Sequence, residues 1–243
     1  MSDPLFLLDE LADPLPALGA TVELGGPEGR HASVVRRVRP GESMLIGDGR
    51  GRGVRGEVLA ASKAGLIVTV IEQLIARVPA VRYVAVQALA KAARDELAVE
   101  MLTELGVQEI VPWQAQRSVV RWAGDRTRTG LARWRSTIRE AAKQSRRLHV
   151  PVVHELVRTV ELTRLVAQVD LALVLHEGAA HSLRDVELPQ HGTIMIVIGP
   201  EGGIAPAELD TLAASGGRPV LVSDGVLRTS TAGVVALAGL LFR

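Results

Sequence analysis

The stretch from Thr193 to Ala232 constrains the fold more than any other part of the chain. It opens on a dense apolar run, Ile194-Met195-Ile196-Val197-Ile198, which breaks at once into Gly199-Pro200-Glu201-Gly202-Gly203. A helical segment with Pro206 near its start follows, then a second apolar run, Val220-Leu221-Val222. The stretch closes on Gly225-Val226-Leu227-Arg228-Thr229-Ser230-Thr231-Ala232 and a last apolar helix. Two buried strands therefore each end in a glycine-containing loop that runs into a helix. In open α/β sheets ligands bind outside the carboxyl ends of the strands, where such loops lie. The two loops are thus expected to hold a ligand.

Upstream, the pattern alternates in the same manner. Val81–Val86 reads as a strand, Asp95–Leu105 as a helix ended by Gly106, and Val107–Pro112 as the next strand. Leu97, Met101, Leu102 and Leu105 are expected on that helix's buried face. Arg133–Arg147 reads as a basic amphipathic helix burying Trp134, Ile138, Ala141 and Ala142, and Asp170–Leu175 as a short strand ending in His176-Glu177-Gly178. Strands alternating with helices predict an α/β domain around a mostly parallel sheet, covered on both faces.

Residues 1–76 differ. Short apolar alternations at 21–24, 43–46, 56–59 and 66–71 are separated by Gly25-Gly26-Pro27, Pro40-Gly41 and Asp48-Gly49. Asp-Gly between apolar runs favours a tight hairpin, and closely spaced short strands suggest a small barrel. His31–Arg39 reads as one short helix with Val34, Val35 and Val38 turned inward and Arg36, Arg37 and Arg39 outward. Proline in Arg77-Val78-Pro79-Ala80 breaks the regular structure, so a second domain is expected over 77–243.

Composition excludes several chemistries. With no cysteine there are no disulfides, thiolate metal sites or cysteine nucleophiles. The apolar runs fall well short of the roughly 20 residues that a membrane span needs. Met1-Ser2-Asp3-Pro4 lacks the basic start of a signal peptide, and a cytoplasmic location is the expectation. No Gly-x-Gly-x-x-Gly follows the first α/β strand, and no phosphate-binding Gly-Lys-Ser/Thr, His-Glu-x-x-His or Gly-x-Ser-x-Gly is present. The net charge is only +1. Yet between Trp113 and Arg158 eleven basic residues face only Asp125, Glu140 and Glu155. Such a block is either a phosphate-contacting surface or a solvated helix face.

Several of these segments together resemble the ribosomal RNA small subunit methyltransferase E family of the SPOUT superfamily. The resemblance rests on His31 followed by Val34-Val35-Arg36-Arg37-Val38-Arg39-Pro40-Gly41-Glu42, on Thr103-Glu104-Leu105-Gly106-Val107, and on Gln116-Arg117-Ser118. It rests further on Glu140–Arg147, Leu175-His176-Glu177, Ile198–Gly203 and Val226–Ala232. It implies a PUA-like RNA-binding β-barrel ahead of a SPOUT-type parallel sheet with a C-terminal trefoil knot, working as a homodimer. It also implies S-adenosylmethionine as cofactor and N3 of a uridine in 16S rRNA of the small ribosomal subunit as the methylated atom, with no metal. Carried over by position, the cofactor site comprises Leu175, His176 and Glu177; Ile198, Gly199, Pro200, Glu201, Gly202 and Gly203; and Leu221, Val222, Ser223, Gly225, Val226, Leu227, Thr229, Thr231 and Ala232. The sequence departs from the family at Met101, where a lysine is frequent, at Ser223-Asp224-Gly225, and at Ser230, where the family often has an acid.

Losing the N3 proton leaves charge on the uracil ring, and stabilising that charge is the largest task for the protein. Arg228 is the candidate; Glu201 is the alternative as a base, though cofactor or loop contacts suit it better. RNA contacts are expected from His31, Arg36 and Arg37 in the first domain and from Arg117, Arg139, Lys143, Arg146 and Arg147 in the second. A decayed, RNA-binding assembly factor and a ribose-methylating SPOUT enzyme are the competing readings.

Overall fold

The computed structural model describes residues 3–242, so Met1 and Ser2 of the N-terminal segment lie outside it. The chain divides into two compact units, and the division is not a single cut. The first takes the residues up to Val78 together with Ala142–Val150; the second takes Pro79–Ala141 and Pro151 onward.

The first unit holds β1 (Leu5–Leu7), β2 (Thr21–Leu24), the single-turn helix α1 (Gly26–Arg30), β3 (Ser43–Gly47), β4 (Arg52–Ser62) and β5 (Gly65–Ile75). They form one sheet in the order β1-β3-β4-β5-β2, antiparallel except for the β1–β3 pair. Among the described residues no pairing joins the end strands β1 and β2. The alternating side chains Val22, Leu24, Met44, Ile46, Val54, Val58, Leu66, Val68 and Val70 form its core with Phe6. At the β3–β4 turn, Asp48 accepts hydrogen bonds from the backbone N–H groups of Arg50 at 2.7 Å and Arg52 at 3.0 Å. The Asp-Gly turn is thus a longer loop organised by a carboxylate rather than a two-residue hairpin.

The helix expected over His31–Arg39 is displaced. It begins at Gly26, in the segment read as a turn, and continues from α1 into a π-helical turn over His31–Val35. Arg37 then takes a left-handed backbone, φ 56°. The wider turn, with Arg36 N–H bonded to the His31 carbonyl, changes which residues face inward. Ala32 and Val38 are buried, whereas Val34 and Val35 are exposed. A 3.6-residue period cannot anticipate that rotation.

The second unit contains β6 (Val81–Ala88), α2 (Arg94–Leu105), β7 (Glu109–Trp113), most of α3 (Asp125–Gln144), β8 (Val152–Val153), α4 (Thr159–Val166), β9 (Leu171–Leu175), β10 (Gly192–Ile198), α5 (Pro206–Ala214), β11 (Gly217–Val220) and α6 (Thr229–Leu241). Its six strands run in the order β11-β9-β10-β6-β7-β8, every pair parallel. The strand interiors are continuous apolar runs because both faces are covered. Val84, Val86, Met195 and Val197 pack with Leu162 and Val166 of α4 and Leu212 of α5. On the opposite face Ile198 lies against Gly233 of α6, where an added Cβ would come within 2.9 Å of it.

Two details of the expected helices change. On α2, Leu97 is exposed, and Ala98, Val99, Leu102 and Thr103 form the buried side. On α3 the helix starts eight residues earlier than expected, at Asp125, while Trp134, Ile138, Ala141 and Ala142 are buried as the periodicity predicts.

Candidate functional site

The carboxyl ends of β9, β10 and β11, three neighbouring strands, release three loops that bound one cavity of about 270 Å³. Leu175, His176 and Glu177 come from the first loop, Ile198 to Glu201 with Gly203 and Ile204 from the second. Leu221, Val222, Ser223, Gly225, Val226, Leu227, Arg228, Thr229 and Ala232 come from the third and the start of α6. Of the positions expected there, Gly202 and Thr231 do not reach the cavity; Arg94 and Ile204 do, and were not anticipated.

The backbone that shapes this cavity follows from local chemistry. Gly203 takes φ 70° and its N–H donates to the Pro200 carbonyl at 2.9 Å, closing the turn after β10. At Gly199 an added Cβ would come within 2.8 Å of Ile204 Cγ1, so a side chain there would displace the cavity wall. Pro206 then opens α5, where its missing N–H costs nothing. Gly202 points away from the cavity instead: its carbonyl accepts from the Arg117 guanidinium at 3.3 Å.

Thr229 joins the second and third loops. Its hydroxyl donates to the Gly199 carbonyl at 2.7 Å and accepts from the Gln87 side-chain amide at 2.9 Å. Gln87 is wholly buried at the end of β6, and its Oε1 has no partner. The cap residue of α6 is Arg228, and no side chain caps the helix. The Thr229 hydroxyl instead fixes the distance between two loops that are 30 residues apart.

Glu201 has a divided role. Its Oε1 accepts from the backbone N–H of Lys91 at 3.0 Å, while its Oε2 is buried with no partner. An unpaired buried carboxylate oxygen is costly, and a ligand donor would satisfy it. The Lys91 loop is itself unusual: Ala92 and Ala93 both have φ 56°, a left-handed backbone that costs a non-glycine residue free energy. Asp95 holds it, accepting from Ala90 N–H at 3.3 Å and Glu96 N–H at 2.9 Å. Burial raises the Asp95 carboxyl above its ordinary pKa, against the lowering effect of those two N–H donors.

A second carboxylate assembles the flank. Glu208, nearly buried, accepts from Gln116 N–H at 2.9 Å and from the Thr159 hydroxyl at 2.5 Å through the same oxygen. It thereby ties the segment carrying Arg117 to the start of α5. Neither Glu208 nor Asp95 stands out in the sequence, because each acts on backbone groups or a hydroxyl of its neighbours and belongs to no motif.

The expected RNA-contacting residues are dispersed. Arg36 and Arg37 are exposed in the first unit, and His31 is half-buried with its ring edge-on to Phe6 at 6.3 Å. Arg117 lies on the glycine loop. The anticipated rail of Arg139, Lys143, Arg146 and Arg147 needs correction. Lys143 is only 9% exposed and its Nζ is paired with Glu28 at 3.0 Å. Arg139, Arg146 and Arg147 also have interaction partners. Burial lowers the Arg147 pKa. Charge periodicity shows that a helix face is basic, but not that a distant carboxylate neutralises it. Among the described residues no group of histidines and carboxylates is placed to hold a metal, and no helix is long and apolar enough to cross a membrane.

The model of a family described as RNA methyltransferase domain matches residues 78–241. A protein of Mycobacterium tuberculosis named ribosomal RNA small subunit methyltransferase E is 46% identical over 231 residues, 93% of this chain and 87% of that protein. The Bacillus subtilis protein of the same name is 29% identical, covering 92% and 90%. Among solved structures, ribosomal RNA small subunit methyltransferase E of Neisseria gonorrhoeae bound to S-adenosyl methionine superimposes with a TM-score of 0.86 at 25% identity, over 99% of this chain and 98% of that one. A Legionella pneumophila protein, also in complex with S-adenosyl methionine, gives 0.87 at 25% identity over 100% and 98%.

Proposed function

The chain belongs to the ribosomal RNA small subunit methyltransferase E family of RNA methyltransferases, and from that premise we propose that it transfers a methyl group from S-adenosylmethionine to N3 of a uridine in 16S rRNA. The observation that carries this reading is the cavity itself. Three loops at the carboxyl ends of adjacent parallel strands enclose it, with Glu201 Oε2 buried and unpartnered in its wall. A ligand rich in N–H and O–H donors, such as an adenosyl amino acid, suits that wall.

In this reading the backbone of Leu175–Glu177, Ile198–Gly203 and Leu221–Leu227 would hold the cofactor, which would supply a methyl group activated by a sulfonium. The chain's own residues orient the uracil ring and hold its charge. N3 must lose its proton, to water in this reading, before it can accept a methyl group, and the ring then carries negative charge. Arg228 lines the cavity with no carboxylate partner among the described residues, so its guanidinium is available to that charge. With no cysteine, a thiolate adduct at uracil C5 is not accessible.

The finer features belong to the same reading. The first unit acts as a PUA-like RNA-binding barrel through His31, Arg36 and Arg37. The second is a SPOUT domain whose C-terminal segment threads a trefoil knot. The enzyme works as a homodimer in the cytoplasm; α6 supports pairing because its Val235 and Leu241, and Phe242 beyond it, are solvent-exposed. Primer extension on 16S rRNA from a strain lacking the gene tests the reaction, because an N3 methyl blocks base pairing. The stop should vanish in that strain and return on complementation. A stop that persists without the gene overturns the reading.

A further inference from the structure

Resting on that reading, we propose that Lys91 and Arg94 form a phosphate-holding rim at the cavity, beside the Arg228 that faces the uracil ring, and that this rim grips the backbone of the RNA strand whose base is methylated. The basic helix α3 is a weaker candidate for that task, since the lysine in its last turn is held in an ion pair with Glu28.

Cations reach the cavity from two distant segments. Arg94 opens α2 and lines the cavity, while Arg228 lines it as the residue before α6. Lys91 is exposed, and its backbone N–H is fixed to Glu201, which also lines the cavity. Among the described residues none of these three side chains has an ion-pair or hydrogen-bond partner. Other arginines of this unit are ion-paired, among them Arg133 with Glu96 at 2.7 Å and Arg135 with Glu155 at 3.2 Å.

The charges sort by ligand. The cavity's acids, Glu177 and Glu201, suit a cofactor that carries a sulfonium and an ammonium. The cofactor's single carboxylate needs at most one cation. Of the two arginines that line the cavity one is then left over, and with the exposed Lys91 close by in sequence it suits an anion that arrives from outside. RNA brings phosphates, and Lys and Arg neutralise them as point charge and fork respectively. The left-handed backbone at Ala92 and Ala93 presents Lys91 and Arg94, and it is held by Asp95 and Glu201. That a strained loop is fastened by two carboxylates fits a functional position.

The test uses the full chain with a fluorescent single-stranded RNA covering the methylated site, and follows anisotropy over a salt series. In parallel, methyl transfer to small subunits from the deletion strain and calorimetric S-adenosylmethionine binding are measured. Arg94→Ala should weaken RNA binding about tenfold and reduce the salt slope by about one. The KM for RNA should rise more than kcat falls, with cofactor affinity within about twofold. Arg94→Lys should restore the salt slope, and Lys91→Ala, at an exposed position, should weaken binding without lowering thermal stability. Unchanged RNA binding and slope in both alanine variants would overturn the rim. So would a loss confined to cofactor affinity, which would assign Arg94 to the carboxylate of the cofactor. Failure of the wild-type chain to methylate RNA that it still binds through this rim would instead count against the proposed reaction.

Discussion

Glu201 Oε1 and the backbone N–H of Lys91 meet at 3.0 Å, so the glycine loop after β10 fastens the left-handed loop after β6. The two oxygens of that carboxylate can be separated by substitution. Glu201→Gln keeps a carbonyl oxygen for Lys91 but replaces the unpartnered acceptor with a donor. Glu201→Ala removes both. If the buried oxygen meets a ligand donor, both variants should weaken S-adenosylmethionine binding by about tenfold, equivalent to ~1.4 kcal/mol. If only the tie to Lys91 matters, Glu201→Gln should bind as the wild type does. Calorimetry on the two variants decides between them.

Arg228 should reveal itself through pH. A cation beside the ring lowers the pH at which uracil N3 ionises. Arg228→Ala should therefore reduce kcat by about a hundredfold and move the rising limb of the kcat profile to higher pH. Arg228→Lys should recover part of both effects. A parallel drop at every pH would remove the charge-stabilising role.

A glycine inside α3 gives a prediction opposite in sign to helix propensity. Alanine in place of a helical glycine ordinarily stabilises by about 1 kcal/mol. At Gly130, however, the new Cβ would lie 2.5 Å from the Trp122 ring, which packs edge-on against Trp134 with centroids 5.4 Å apart. Overpacking of this kind costs about 1–3 kcal/mol. Gly130→Ala should lower the urea midpoint; a raised midpoint would show that Trp122 moves aside freely.

Acid should act on the first unit through Asp48. Burial pushes its carboxyl upward, but the N–H groups of Arg52 and Arg50 and the Arg52 guanidinium outweigh that, leaving it below its ordinary 3.8. A depressed folded pKa stabilises above the unfolded value and loses that contribution as pH falls through the folded one. Wild-type stability should thus decline below about pH 4. Asp48→Asn should be less stable at neutral pH and show a shallower acid limb. Identical limbs would mean that other carboxylates govern acid unfolding.

The sequence by itself determined the parallel sheet and two of the loops that enclose the cavity. Runs such as Ile194–Ile198 are apolar on both alternating faces, which only a strand covered on both sides requires, and the glycines after them mark where the backbone must turn sharply. It also carried the family, because the motifs are ordered along the chain. Only the tertiary structure decided what joins these pieces. Arg94 reaches the cavity from the start of α2, more than 100 residues before Gly199, and Thr229 binds the Gly199 carbonyl across 30 residues. Lys143 is basic in sequence but paired in the fold with Glu28, 115 residues away. Periodicity reports local burial, while each of these contacts depends on which distant segment the sheet order brings alongside.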